Sequence, residues 1–466
     1  MSHPLCQEYL LSLAHDKNKY LCVMDKTNLL ENKKVVYSTL GCKLNFTETS
    51  HIAGMLGDLG MHTVSEGEEA DYCIINTCSV TALADKKCRQ LIRHLHREHP
   101  KAKIIVIGCY AQLNPCEISM IEGVDLVVGA SEKSQLASYI EQLESGETLG
   151  LSMTHSPVQR AVHFLPSVSS EGRTRHFLKV QDGCDYKCSY CTIPMARGKS
   201  RNGSISELVT LAQQVAAEGG KEIVLTGVNV GDFGRSTGET FIDLIQALDQ
   251  VEGIDRFRIS SIEPNLITHD IIDFVATSKR FAPHFHIPLQ SGSNEVLKLM
   301  RRRYNKELFR EKVLHINRVL PNAYIGVDVI VGMRGELPEF FEESFDLLNE
   351  LNVSKLHVFP YSERANTDAL KIEYIVSPNE KQERSHRLLK LSDNKLRAFN
   401  ENQIGTIHKA LIEHSNDTEW VYGFTENYVR VRLPYKEHLQ GEVVDVSIGS
   451  FLDGDTGLMN ASLVNI

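Results

Sequence analysis

Four short apolar runs between Lys33 and Leu143, and six more between His176 and Asn400, alternate with helix-length stretches. This alternation constrains the chain more than any other feature. The first series reads KVVYSTLG, DYCIINTC, KIIVIGC and VDLVVG, and the intervening ADKKCRQLIRHLHREHP has helical spacing and stops at Pro100. Strands that alternate with helices read as a parallel sheet, because parallel neighbours need a crossover long enough to hold a helix.

The second series reads HFLKVQDG, EIVLTGVNV, RFRISSIEP, HFHIPLQSG, YIGVDVIVG and KLHVFPYS, with SISELVTLAQQVAAEG and FEESFDLLNELN as helices between them. Six units are too few to close an eight-stranded barrel, so a six-strand (βα)6 partial barrel is expected. Residues 146–172 are Ser-rich and carry Pro157 and Pro166, which reads as a linker. From about Gln403, TIHKALIEHS, EWVYGFTENYVRVRLP, GEVVDVSIGSF and LMNASLVNI are short strand candidates of a small all-β, barrel-like module. The expected fold is α/β: an extension at 1–32, a parallel-sheet domain at 33–145, the partial barrel at 173–402 and the β module at 403–466.

A length of 466 residues suits two or three domains, and 42% hydrophobic with 24% charged residues is an ordinary soluble composition. No apolar run approaches the roughly 18 residues of a membrane span, and the N-terminus lacks the pattern of a secretory signal, so a cytoplasmic protein without membrane attachment is expected. The cytosol keeps thiols reduced, so the eleven cysteines are expected to pack as small apolar residues or to bind metal. A net charge of −10 argues against bulk nonspecific binding to nucleic acid but leaves room for local basic patches.

The stretch GCDYKCSYCTIP carries Cys184, Cys188 and Cys191 in the loop after the first strand of the second series. A closed zinc site takes four ligands, and no fourth Cys or His stands at a matching distance. Thiolates also select iron–sulfur clusters, and a 4Fe–4S cluster on three thiolates leaves one iron open. Three packed cysteines, or a zinc with a distant fourth ligand, are the competing readings. A second set is spread out: Cys42 in STLGCKLN, Cys78 in INTCSVTALAD and Cys109 in IVIGCYAQ each follow an apolar strand. The C-terminal ends of parallel strands share one sheet edge, so these three are expected to converge, with core packing as the alternative. Cys6, Cys22, Cys73, Cys88 and Cys116 are read as structural.

The three-cysteine loop resembles that of the radical S-adenosylmethionine (SAM) enzymes. That resemblance implies SAM on the open iron, reductive cleavage to a 5′-deoxyadenosyl radical, and Tyr190, the aromatic before the last cysteine, lying against SAM. TLGCKLN, INTCSVT, GCYAQ, GCDYKCSYCTIPMARG and HIPLQSGSNEVLKLMRR, with the C-terminal β module, resemble the methylthiotransferase family over nearly the whole chain from about Lys33. The resemblance implies two 4Fe–4S clusters, an auxiliary one on Cys42, Cys78 and Cys109 and a SAM-binding one on Cys184, Cys188 and Cys191. It further implies a C-terminal TRAM domain and a flavodoxin- or ferredoxin-like electron donor; a monomer is expected. Glu263 in SSIEP is a candidate SAM contact, with a structural carboxylate as the alternative.

The family has three branches, acting on isopentenyladenosine in tRNA, on threonylcarbamoyladenosine in tRNA, or on an aspartate of a ribosomal protein. TLGCKLNFTET with INTCSVTALADKKCRQ is most similar to the threonylcarbamoyladenosine branch; the others more often show Gln-Met-Asn or Pro-Lys-Asn after the first cysteine. The expected substrate is therefore the tRNA anticodon stem-loop, with methylthio addition at C2 of N6-threonylcarbamoyladenosine 37. The two other branches, and a noncatalytic iron–sulfur or zinc RNA-binding module, are the rivals. No side chain is assigned as a catalytic acid or base.

Three basic clusters suit a phosphate backbone: Lys86, Lys87, Arg89, Arg93, Arg97, Lys101 and Lys103; Arg197, Lys199 and Arg201; and Lys298, Arg301, Arg302, Arg303 and Lys306. Solvated helix faces are the competing reading. The C-terminal module is acidic, and Trp420, Tyr422, Phe424 and Tyr428 are candidates either for base stacking or for its core. Arg334, in MRGE, stands where the family usually has a turn proline.

Overall fold

The computed structural model describes residues 29–65, 67–145, 153–154, 164, 166–169, 174–452 and 454–464. Cys6, Cys22 and most of the extension and linker read from the sequence lie outside them. The chain forms two compact units. One takes the chain up to Gly41, Ile52–Ser79 and Leu83 into the linker; the other takes Cys42–His51, Val80–Ala82 and the remainder.

In the first unit β1 (Lys34–Thr39), β2 (His62–Thr63), β3 (Tyr72–Thr77), β4 (Lys103–Gly108), β5 (Val124–Gly129) and β6 (Met153–Thr154) form one sheet in the order β2-β1-β3-β4-β5-β6. Every pair is parallel. β3 is buried along its whole length, which is why it reads as a continuous apolar run. Its side chains alternate between two cores: Cys73 and Ile75 pack with Val36 and Ile104, while Tyr72 and Ile74 pack with Val35 and Ile105. The crossover helix Ala82–Glu98 buries Cys88, Ile92 and Leu95, one helical face, against the first of these cores.

The second unit opens with six parallel strands, as expected, but in two sheets. β7 (Ser167–Val168), β8 (Arg175–Lys179), β11 (Glu222–Thr226) and β12 (Arg256–Ile259) form one, in the order β12-β11-β8-β7, with β7 antiparallel, while the short β9 (Gln181–Asp182) and β10 (Arg201–Asn202) pair with each other. β13 (His284–Gln290), β14 (Tyr324–Val331) and β15 (Lys355–Pro360) form the other. Among the described residues, the isolated bridges Phe257↔Phe281 and Ser261↔His286 join them. Pro288 removes a ladder donor in β13, and the register slips there, with Gln290 at φ 65°. The expected six-strand partial barrel is therefore present, its third and fourth strands joined by bridges in place of a continuous ladder. The stretch read as a linker is also not featureless, since it supplies β6 and β7.

Alternate residues of these strands face opposite ways. Leu178, Leu225, Ile259, Ile287, Val327 and Leu356 pack outward in one apolar core. The opposite positions form a polar lumen: Arg175, Phe177 and Lys179 on β8, Glu222 on β11, Arg258 on β12, His284 and His286 on β13, Asp328 on β14 and His357 on β15. The C-terminal strands, β16 (Ile407–Ile412), β17 (Trp420–Thr425), β18 (Arg430–Pro434), β19 (Val443–Leu452) and β20 (Asp455–Leu463), close into a small barrel. Among the described residues no helix is long and apolar enough to cross a membrane.

Candidate active site

The loop after β8 holds the three clustered cysteines. Gly183, at φ 70°, turns the chain there, and a Cβ on it would lie 2.0 Å from the Lys199 carbonyl oxygen. Cys184, Cys188 and Cys191 line one cavity of about 230 Å³ together with Tyr190, Asn229, Ser261, Glu263, Pro288, Gln290, Arg302 and Asp328. The Tyr186 and Ile193 amides donate to the Cys184 and Cys191 sulfurs, each at 3.4 Å. Burial pushes the Cys184 and Cys191 thiols up to about 12, and proximity to Cys188 adds to it. Such thiols become thiolates readily only when a metal carries their charge. Among the described residues no three His, Cys, Asp or Glu side chains close on a single ion. A four-iron cluster needs no such closure, since each thiolate binds its own iron.

Two observations fit this cavity to a polar cofactor beside a cluster. Asn229 is 4% exposed, and neither its amide nitrogen nor its carbonyl oxygen has a partner, an unusual state for a buried amide. Arg302 reaches in from the opposite wall: its Nη1 donates to Cys188 Sγ at 3.1 Å, its Nη2 pairs with Glu263, and its Nε donates to Tyr304 Oη at 3.1 Å. Burial holds Glu263 above the usual carboxylate range, against the pull of Arg302. The sequence reading brought Tyr190 and Glu263 to this site and the structure places both in its wall. It missed Asn229, and it assigned Arg302 to a phosphate-binding cluster.

That cluster reading needs correction elsewhere too. Arg197 is buried, and with Lys179 and Arg201 it surrounds the carboxylates of Glu48 and Asp182: Lys179 Nζ lies 2.9 Å from Glu48 and from Asp182, and Arg201 Nη2 lies 2.8 Å from Asp182. Arg301 pairs with Asp368, and Arg303 lies 4.0 Å over the Tyr186 ring. Lys86, Lys87, Arg93, Arg97, Lys101, Lys199, Lys298, Arg301 and Arg303 are exposed. Arg334 pairs with Glu363 at 2.6 Å and donates to the Leu370 carbonyl, so it pins the loop that a turn proline would have stiffened.

The small barrel docks on the far end of the lumen. Arg258 donates to the carbonyls of Glu426 and Thr425 and pairs with Glu222, and Tyr428 lies under Arg258 at 4.8 Å and stacks on Phe424. Phe424 and Tyr428 therefore face the partial barrel. Trp420 lies under Arg432, and Tyr422 donates to Asp417. Lys43, the residue after Cys42, also reaches the lumen, its Nζ 5.9 Å over the Phe177 ring.

In the first unit Cys78 and Cys109 directly follow β3 and β4, whose ends pair at Thr77↔Gly108. Both thiols are nearly buried, at 8% and 4% exposure. Cys42 stands three residues beyond the end of β1, next to β3 in the same sheet, and opens the segment that groups with the second unit. Cys73 and Cys88 lie in the apolar core, where burial pushes their thiols up to about 12 and about 11. A larger hollow of about 440 Å³ lies at the opposite, N-terminal ends of the strands, beside Lys34, Asp71 and Lys101, and holds no cysteine.

A parallel half-barrel with three cysteines in the loop after its first strand defines the radical SAM class. The family model described as "Radical SAM superfamily" matches residues 178–348, and that described as "Uncharacterized protein family UPF0004" matches residues 34–129. The chain is 39% identical to the threonylcarbamoyladenosine tRNA methylthiotransferase MtaB of Bacillus subtilis, over 89% of this chain and 93% of that protein. It is 30% identical to the tRNA-2-methylthio-N(6)-dimethylallyladenosine synthase of Pelotomaculum thermopropionicum, over 92% and 98%. In fold it is similar to the radical SAM methyltransferase TsrM of Kitasatospora setae, with a TM-score of 0.56 and 14% identity over 71% of this chain and 75% of that one. The chain belongs to the radical SAM methylthiotransferase family.

Proposed function

We propose that this protein adds a methylthio group to C2 of N6-threonylcarbamoyladenosine at position 37 of tRNA. The observation that carries the proposal is the cavity where Cys184, Cys188 and Cys191 meet the unpartnered Asn229 amide. Higher identity to the threonylcarbamoyladenosine enzyme than to the dimethylallyladenosine enzyme supports this branch over the isopentenyl one.

With one 4Fe–4S cluster on Cys184, Cys188 and Cys191 and another on Cys42, Cys78 and Cys109, the two clusters supply the electron that cleaves SAM and the sulfur that is transferred. The chain's own residues orient and enclose. Tyr190 gives SAM an apolar wall, Asn229 offers it a donor and an acceptor, and Glu263 accepts from its ammonium. Arg302 fixes Glu263 and the Cys188 sulfur relative to each other. The exposed Lys86, Lys87, Arg93, Lys101, Lys199 and Lys298 supply phosphate contacts for the anticodon stem-loop. The domain division at 33–145, 173–402 and 403–466, a flavodoxin- or ferredoxin-like donor, a monomeric state and a cytoplasmic location belong to the same proposal.

Anaerobic reconstitution tests it. About eight irons per chain are expected, falling to about four when Cys184 or Cys78 becomes Ala, with SAM cleavage on reduction lost in the Cys184 variant and kept in the Cys78 variant. Four irons in the unmutated chain would remove the second cluster from the account.

A further inference from the structure

Among the described residues, the lumen holds a cation, Lys43, that forms no ion pair. Lys43 is solvent-accessible, yet its ammonium reaches between the barrel walls, 5.9 Å over the Phe177 ring. Among the described residues no carboxylate lies at ion-pair distance from it. The acids facing the lumen are engaged elsewhere: Glu222 pairs with Arg256 and Arg258, and Asp328 is hydrogen-bonded to His286 at 2.7 Å. Burial lowers the Lys43 pKa; Tyr428 and Glu222 favour its charge while Arg175 and Arg258 oppose it.

The same lumen opens on the cysteine cavity. Asp328 lines that cavity, His286 bonds Asp328, and His286 stacks on His357 with ring centroids 5.0 Å apart. A base whose C2 faces the cysteine cavity thus has its substituent in a passage of flat rings and one unmatched cation. An unpaired charge between low-dielectric walls favours an anionic ligand strongly. The threonylcarbamoyl group ends in a carboxylate; a dimethylallyl group has no charge.

We propose that Lys43 is the residue that selects the substrate, its ammonium receiving the carboxylate of the threonylcarbamoyl side chain in the lumen. This rests on the function proposed above. It separates the job of Lys43 from that of the neighbouring Cys42: one reads the substituent on the base, the other holds a cluster.

The test is equilibrium binding to full-length protein of two anticodon stem-loops that differ at one group. One carries threonylcarbamoyladenosine; the other carries the same group as a carboxamide. The unmutated chain is expected to bind the carboxylate RNA about tenfold or more tighter, in the range of one charge-assisted hydrogen bond. Lys43→Met should remove that ratio by weakening the carboxylate RNA alone, and Lys43→Arg should restore part of it. Equal binding of both RNAs by the unmutated chain overturns the proposal whatever the variants do. So does a ratio that survives in Lys43→Met. If the loaded chain methylthiolates a dimethylallyladenosine stem-loop and neither of these, the functional reading itself fails, and the proposal with it.

Discussion

Glu48 and Arg197 form a buried two-point ion pair, Nη1 to Oε1 at 2.8 Å and Nη2 to Oε2 at 3.1 Å. Glu48 stands six residues after Cys42, and Arg197 six after Cys191. The pair therefore ties the segment that Cys42 opens to the short helix Ile193–Arg197 that leaves the three-cysteine loop. Removing Glu48 leaves three cations, Lys179, Arg197 and Arg201, on the one carboxylate of Asp182, and breaking a buried pair costs about 3–5 kcal/mol, whereas replacing both partners with apolar residues removes one of those cations as well. Glu48→Met should lower the melting temperature of the iron-free chain more than the double variant Glu48→Met/Arg197→Met does. Additive losses would show that the pair is not coupled.

Glu263 and Arg302 predict a separation between cluster binding and cofactor binding. Neither supplies a thiolate, so Glu263→Gln should leave the iron content unchanged. A lost hydrogen bond to a charged group is worth about 1.5–3 kcal/mol, so SAM affinity should fall roughly tenfold to a hundredfold. Calorimetric titration of SAM into reconstituted protein checks this, and unchanged affinity would take Glu263 out of the cofactor wall.

Gly183 makes a backbone prediction. An alanine there meets both a φ of 70° and a Cβ 2.0 Å from the Lys199 carbonyl oxygen, so the loop must move. The strain exceeds about 1 kcal/mol. Gly183→Ala should bind about half the iron of the unmutated chain, since the proposed function puts one of the two clusters on this loop. Full iron loading would contradict the loop's role.

Glu222 sets a pH dependence for the docking of the small barrel. Burial alone would raise its pKa, but Arg258, Arg256 and Arg175 together hold it down at about 2, against about 4.3 for an unperturbed Glu. Its stabilisation is therefore fully present above the unfolded value and is lost as pH falls from about 4.3 towards 2. The melting-temperature gap between the unmutated, iron-free chain and Glu222→Gln should be wide at pH 7 and close below about pH 4. A gap that stays constant would mean that Glu222 does not titrate with folding.

The strands and the cysteines were legible in the sequence for one reason. A parallel strand covered on both faces must be an unbroken apolar run, and the residue that ends it is easy to see, as with DYCIINTC and Cys78. That β12 and β13 meet only through bridges was not legible, because pairing between strands is a tertiary property that neither apolar run carries. Arg197 and Arg302 misled for another reason. A basic residue beside other basic residues reads as surface, and only tertiary contact reveals that Glu48 and Glu263, 149 and 39 residues away in sequence, neutralise them inside. Asn229 has no sequence signal at all, since an unpartnered amide is a property of packing. Lys43 was quoted within a motif, but its reach into the lumen appears only once the strand beside it is known to carry Phe177 inward.

The central claim is the reaction. Nucleoside mass spectrometry of tRNA from cells with and without the gene tests it most directly. The account predicts that 2-methylthio-N6-threonylcarbamoyladenosine disappears without the gene, that its unmethylthiolated precursor accumulates in equal amount, and that the Cys184→Ala variant does not restore it. An unchanged level of the methylthiolated nucleoside in cells lacking this protein, with no other enzyme of that activity present, would contradict it.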